Sequence, residues 1–590
     1  MRAYLFFTNL LLLFGVAQGS AQKMVLRHNL LGYLPDEPKR IILMSEKSVG
    51  ENALIWRRQS DLKAYPVKLE PLSQEGWGEW AYYAIDVTKL NTEGGYVLYR
   101  GNMPVDTIHV GPSLYGEARE AGLDFMRQQQ CGYNPFIGNY CHSKDGISFY
   151  GPQGDSLVID ARGGWHDAGD QLKYMITATF ATGILLKAYE DYPEGWNDGY
   201  DELGNPGAND WEDILDEARW GLDWIIRMHP DPNSLYHQVA DDRDHIGWKW
   251  PQSDSSDYGW GPNSYRPVYG ANGLPQGLGK FKSQATGIAN IAGRAAAACA
   301  IASRIWWNKE EVVKAALYLD AAAHLYNLGK EKPGYQQGNS YGAPYRYLEN
   351  TWADDMEWAA AEMYATTRDP SFIDEAKKYA RIIGAHSVQR YDTARHYEIY
   401  PFVNMGHSAL FPWVDKKFQD TLAGYYRESL EATLARAEQS PFGVGHPFIW
   451  CSNNVAAALI IQIIEYEKMT GDQTFHPLLL RTRDWLLGTN SWGTSMVTGI
   501  PFDGDYPKDV HTSIYALTHQ VVRGGLVDGP VKASIFKQLQ GLTMENPDEY
   551  AAFQNPTVVY HDDIGDYSTN EPTMDGTATL IYVMAYFSGH

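Results

Sequence analysis

Four cysteines in 590 residues (Cys131, Cys141, Cys299 and Cys451) exclude a disulfide-built scaffold, so the chain must hold together by burying apolar surface. Beyond residue 24 no apolar run reaches the roughly 18 residues that a membrane helix needs, which excludes a spanning segment there. Internal repeats and low-complexity tracts are also missing. Positive charge is scarce: 49 Lys and Arg stand against 72 Asp and Glu, a formal charge of −23. Such a surface repels nucleic-acid phosphates and anionic lipid, so neither is expected as a partner. Hydrophobic residues make up 44% and charged residues 21%, which excludes extensive disorder.

The first residues carry Arg2, an apolar run from Tyr4 to Val16, and then Gly19-Ser20-Ala21. A basic start, an apolar stretch too short to span a bilayer, and small residues at −3 and −1 predict a secretory signal over 1–21, cleaved after Ala21. No cysteine lies near that point to take a lipid anchor. The expected product is an exported monomer in the periplasm, on the cell surface or in the medium.

A chain this long needs two or more cores or one large helical barrel. Residues 24–112 are β-like. Arg40–Met44, Ala53–Trp56, Tyr83–Val87, Tyr96–Tyr99 and Asp106–Val110 are short branched and aromatic runs between Gly, Pro and Asn clusters, as in a small all-β sandwich. From 113 to 590 the character is helical. Asp213–Ile226 places apolar residues at 214, 215, 218, 222, 225 and 226, with acids in the first turn. Residues 285–307 are Ala- and Ile-rich on nearly every face, the mark of a buried helix. Further helices are expected at Trp358–Tyr379, Val455–Met469 and Thr577–Phe587. Long loops rich in Gly, Trp, Tyr and Asp separate them, notably 229–283 and 488–512.

Three acids stand out near opposite ends of the helical region. Asp167 and Asp170 lie in Gly163-Gly164-Trp165-His166-Asp167-Ala168-Gly169-Asp170, and Glu571 lies in Tyr567-Ser568-Thr569-Asn570-Glu571. Two acids three apart on one turn can share a water, one deprotonating it while the other orients it. A cap, a turn or a cation ligand is the plainer reading of Asp-x-x-Asp. Glu571, just before a helix, could merely complement its dipole. Cys131, Cys141, His142 and His166 supply two thiolates and two imidazoles, enough for a closed tetrahedral zinc site. A Cys131–Cys141 disulfide is the alternative. The acidic stretch Asp198–Asp213 could bind calcium or be a solvated face. Cys299 reads as a small buried hydrophobe, and Cys451 allows the same reading.

The two acidic segments resemble the active-site signatures of family 9 glycoside hydrolases. The remaining chain agrees in order. Asp213-Ile214-Leu215-Asp216-Glu217, Leu487-Gly488-Thr489-Asn490 with Val497-Thr498-Gly499, and Gly525-Leu526-Val527-Asp528-Gly529-Pro530 are similar to further family motifs. Asn29-Leu30-Leu31-Gly32-Tyr33-Leu34-Pro35 resembles the immunoglobulin-like module that often precedes the catalytic domain. The resemblance implies an immunoglobulin-like sandwich followed by an all-α (α/α)6 barrel, and an inverting β-1,4-glucanase acting on cellulose-like or decorated β-glucans such as xyloglucan. It makes Asp170 the base, Asp167 its helper, Glu571 the acid and His511 a sugar contact. It also implies zinc at the Cys/His set, as some members carry. Tyr567 is a candidate to stack on sugar or contact a hydroxyl, with core packing as the alternative. One departure bears on specificity: many members read His-His-Arg where this chain reads His511-Thr512-Ser513, so a charged donor fork is missing. Two other readings stand beside the endoglucanase. One is an exo-acting β-glucosidase or glucosaminidase whose cleft is blocked by 229–283; the other is a carbohydrate-binding protein without activity.

Overall fold

A computed structural model describes residues 23–50, 54–73 and 75–589. The predicted signal segment and Ala53 lie outside these residues. Eight strands open the chain: β1 (Met24–Arg27), β2 (Arg40–Ser45), β3 (Leu54–Arg58), β4 (Ala64–Pro66), β5 (Glu70–Leu72), β6 (Ala81–Asp86), β7 (Gly94–Arg100) and β8 (Met103–Val110). They form two antiparallel four-stranded sheets, ordered β1-β2-β6-β5 and β4-β3-β7-β8. The near-continuous apolar run in β2 has a direct cause. Ile41 and Leu43 point between the sheets with Trp56, Tyr96 and Leu98, while Ile42 and Met44 point outward into the core of the helical region. A sheet buried on both faces has no need of a polar face. Trp77, Tyr82 and Ala84 join that second core. Arg483 clamps the junction with Glu37 at 2.7 Å.

Twelve helices form two concentric rings. The inner ring is Met175–Asp191, Ala289–Asn308, Ala353–Thr367, Met405–Leu410, Ser452–Thr470 and Met574–Ser588, each packed on the next, with the last closing against the first. Between them in sequence come the outer helices Gly116–Gln129, Asp213–Met228, Val312–Glu331, Ser371–Ile383, Lys416–Ala437 and His476–Leu486. This is the (α/α)6 barrel. Inner helices are buried on every side, which their composition requires. Close crossings need small residues: a Cβ at Gly183 would stand 2.6 Å from the Trp358 ring.

The predicted helix Trp358–Tyr379 is two helices, ending at Thr367 and restarting at Ser371. Arg368 turns left-handed (φ 63°) to cap the first, and Pro370 cannot continue it. The loops at one end of the barrel also hold a small sheet that the sequence pattern does not announce. Its strands run in the order Asp145–Phe149, Arg266–Gly270, Tyr236–Val239 and Lys173–Tyr174. Two of these lie inside the segment expected as the loop 229–283, and the fourth directly follows the Asp167–Asp170 turn.

Candidate active site

A cavity of about 910 Å³ opens at that end of the barrel, lined among others by Asp170, His245, Trp248, Tyr345, Arg346, His396, Trp450, His511, Tyr567 and Glu571. The fold thus brings Asp170 and Glu571 to one cavity. Their link is the peptide between them in space: Gly169 N–H donates to Glu571 Oε1 at 2.9 Å. Gly169 must lack a side chain here, because a Cβ would fall 2.1 Å from the His511 carbonyl oxygen and 2.8 Å from Glu571 Oε1.

The two carboxylates sit in opposite electrostatic settings. Burial raises the Glu571 pKa well above the usual range, and the neighbouring Asp528 and Asp170 charges push the same way, with only the Gly169 N–H offsetting them. Burial would raise Asp170 too. There it is outweighed by His245, whose Nε2 lies 3.4 Å from Oδ2, and by the Leu172 N–H on Oδ1 at 2.9 Å, so Asp170 stays below its ordinary value. The same contact lifts His245 to about 8 against the effect of burial, although its side chain is 43% exposed.

Asp167 is buried and is absent from the cavity lining. Both its oxygens are taken, by the hydroxyls of Thr177 and Tyr347. Its N–H donates to Leu172 O at 3.0 Å and its carbonyl accepts from Met574 N–H at 2.9 Å. It therefore ties the acid-bearing turn to two inner helices. Burial, then Asp170 and Asp575, raise its pKa.

His511 donates from Nδ1 to Ile564 O (2.5 Å), and burial lowers its pKa, leaving Nε2 as an acceptor. Its ring meets Trp248 edge-on at 4.7 Å. Tyr567 lines the cavity, donates its hydroxyl to Gln540 O (2.6 Å) and packs 5.4 Å from Trp450, whose Nε1 is held by Asp528 at 2.6 Å. His245, Tyr347, Trp248, Trp450 and Asp528 were not picked out from sequence. Of these, Asp528 alone sits in a segment similar to a family motif, Gly525–Pro530.

Behind the turn, Cys131, Cys141, His142 and His166 bring one ligand atom each to within 4.8 Å of one another. All four cysteines of the chain are free thiols, so the disulfide alternative does not form. The other His142 nitrogen, Nε2, lies 3.4 Å from Asp254, the carboxylate partner expected of a metal-binding imidazole. Calcium at Asp198–Asp213 finds no support: among the described residues the Cys/His set is the group that could hold an ion. Asp198 accepts the N–H groups of Asn209 and Asp210, Asp201 those of Leu203 and Asn205, and Asp213 those of Gly199 and Tyr200, so these acids cap turns and do not converge. Among the described residues no helix is long and apolar enough to cross a membrane.

The family model for glycosyl hydrolase family 9 matches residues 115–584. The chain belongs to that family. Endoglucanase C of Cellulomonas fimi is 25% identical over 95% of this chain, which spans 51% of that protein's length. A xyloglucan-specific endo-β-1,4-glucanase of Bacteroides ovatus is 22% identical over 94% of this chain and 92% of its own. Among solved structures, a metagenome-derived family 9 endoglucanase superposes with a TM-score of 0.74 at 26% identity, covering 96% of this chain and 99% of that one.

Proposed function

We propose that this family 9 hydrolase cleaves β-1,4-glucosidic bonds in cellulose-like or decorated β-glucans such as xyloglucan, with inversion at the anomeric carbon. The observation that carries the reading is the divergence of Asp170 and Glu571. Two carboxylates on one cavity, one held ionised and the other held protonated, are what a general base and a general acid require. Glu571 donates its proton to the departing glycosidic oxygen as that bond breaks. Asp170 takes a proton from the water that attacks the anomeric carbon from the opposite face. Asp167 holds the turn through Thr177 and Tyr347, and His511 with Tyr567 contacts the sugar beside the scissile bond. Activity then falls as pH rises through the raised Glu571 value, and falls again as pH drops through the lowered Asp170 value.

The two thiols and two imidazoles suit zinc in a closed structural site, where the ion would brace the His166–Asp170 turn and take no part in bond cleavage. A zinc-binding triple mutant of a family 9 endoglucanase is among the structural neighbours, at 22% identity. Elemental analysis returning no zinc in the natively purified protein would remove this element.

An exo-acting glucosidase or glucosaminidase is the second reading. Asp244, His245, Trp248 and Lys249, all from the 229–283 segment, line the cavity. Viscosity loss measured against reducing ends on a soluble β-glucan and on xyloglucan separates the two. Endo action lowers viscosity far ahead of the reducing ends, whereas a proportional fall marks exo action. Wild-type rates from both Glu571→Gln and Asp170→Asn would sink the assignment altogether.

A further inference from the structure

The cavity carries one charge that the hydrolysis does not use. Of the bases lining it, Lys249 is neutralised by Asp244 (2.6 Å) and Asp254 (2.8 Å), and His245 by Asp170 (3.4 Å). Arg346, the one arginine of that lining, has no carboxylate partner among the described residues. Its Nε donates to Gln337 Oε1 at 3.3 Å. Gln337 is itself buried and fixed: Oε1 also accepts the Gln284 N–H at 3.0 Å, and its amide donates to Leu348 O at 2.9 Å. A guanidinium held at Nε presents its two terminal nitrogens as a planar fork.

That fork is uncompensated. Burial lowers the Arg346 pKa and no acid is near enough to restore it; neither Asp170 nor Glu571 acts on it. Elsewhere Arg243 pairs with Asp241 (2.6 Å) and Arg304 with Glu362 (2.7 Å), while Arg27, Arg40 and Arg436 meet a ring or backbone carbonyls without a carboxylate; none of these five lines the cavity, as Arg346 does. What sets Arg346 apart is its place: a part-desolvated cation on the wall of an open cavity can be met there by a ligand's charge. Sugar hydroxyls would leave the charge unmet. A carboxylate meets both the charge and the fork geometry in one bidentate contact.

We propose that Arg346 forms a subsite for a carboxylate-bearing sugar unit, a uronic acid within or branching from the β-glucan, bound away from the cleavage point. The proposal rests on the hydrolytic reading of the cavity and adds the substrate's charge to it. The test uses a β-1,4-linked gluco-oligosaccharide carrying one glucuronic acid and its neutral counterpart of equal length. Calorimetric Kd values are measured in the Glu571→Gln protein with and without Arg346→Gln. The acidic ligand binds about tenfold more tightly than the neutral one, Arg346→Gln abolishes that preference, and Arg346→Lys keeps part of it. An acidic-to-neutral Kd ratio that Arg346→Gln leaves unchanged overturns the proposal. In the enzyme with Glu571 intact, the corresponding kcat/KM ratio falls about tenfold on the same substitution. Should that enzyme cleave neither oligosaccharide, the hydrolytic reading fails while the Kd comparison still decides the subsite.

Discussion

Two regions of this barrel bury carboxylates, and they do so to different ends. Between the inner helices Ala289–Asn308 and Ala353–Thr367, Arg294 meets Glu349 at 2.6 Å and Asp355 at 3.3 Å, with all three side chains fully buried. Burial lifts Glu349 and Asp354 to about 7, and His407 pairs with Glu357 at 2.8 Å close by. At the cavity, Glu571 is raised by burial in the same way. The core group does not line that cavity and pairs its charges internally, whereas Glu571 and Asp170 face open volume and are pushed in opposite directions. A raised carboxylate pKa therefore marks chemistry only where a substrate can reach it and a partner is driven the other way.

The comparison can be broken most sharply by substitution on each side. Glu571→Gln and Asp170→Asn each lower kcat by about 10²–10⁴-fold while the melting temperature stays near wild type. Arg294→Met does the reverse, costing about 3–5 kcal/mol of stability by leaving buried charge unpaired, with kcat per folded molecule retained. Calorimetry alongside active-site titration reads both, and an Arg294 variant that folds well but turns over slowly would erase the distinction.

A smaller change sharpens it. Gly169→Ala forces the His511 carbonyl and Glu571 apart, and a misplacement on the order of 1 Å costs about 10²-fold in kcat/KM. Far-ultraviolet circular dichroism should stay unchanged; normal activity in the Gly169→Ala enzyme would mean that the contact is dispensable.

The smallest effect is on the pH dependence of stability. Folded Asp354 keeps its proton up to about 7, whereas the unfolded chain releases it near 3.8. The folded state thus binds more protons between those values, so this contribution is full below about 4 and is lost as pH rises to about 7. Asp354→Asn should flatten the decline in melting temperature across that window. A decline as steep as wild type would show that the group does not titrate as the core geometry requires.

What the sequence could disclose follows from how far apart in the chain each contact lies. Asp170, Glu571 and the four clustered Cys/His residues were legible because short contiguous segments carry them. The inner helices were legible because Ala- and Ile-rich stretches such as 285–307 are apolar on all faces. The edge strands β1, β4 and β5 were missed, being three or four residues long and too short for any period to emerge. The site's supporting residues were hidden for another reason. His245 meets Asp170 from 75 positions away and Tyr347 meets Asp167 from 180, and neither carries a local motif. Only the fold makes them neighbours. The spacing of Asp167 and Asp170 likewise could not reveal that Thr177 and Tyr347 donate to Asp167.

Proton NMR of the first product released from a cello-oligosaccharide tests the central claim most directly. A base and an acid separated by an attacking water release the α-anomer first, with the β-anomer growing in only by mutarotation. A β-anomer at the earliest time point would mean that Asp170 attacks carbon itself, and its role as the base that activates water would be wrong.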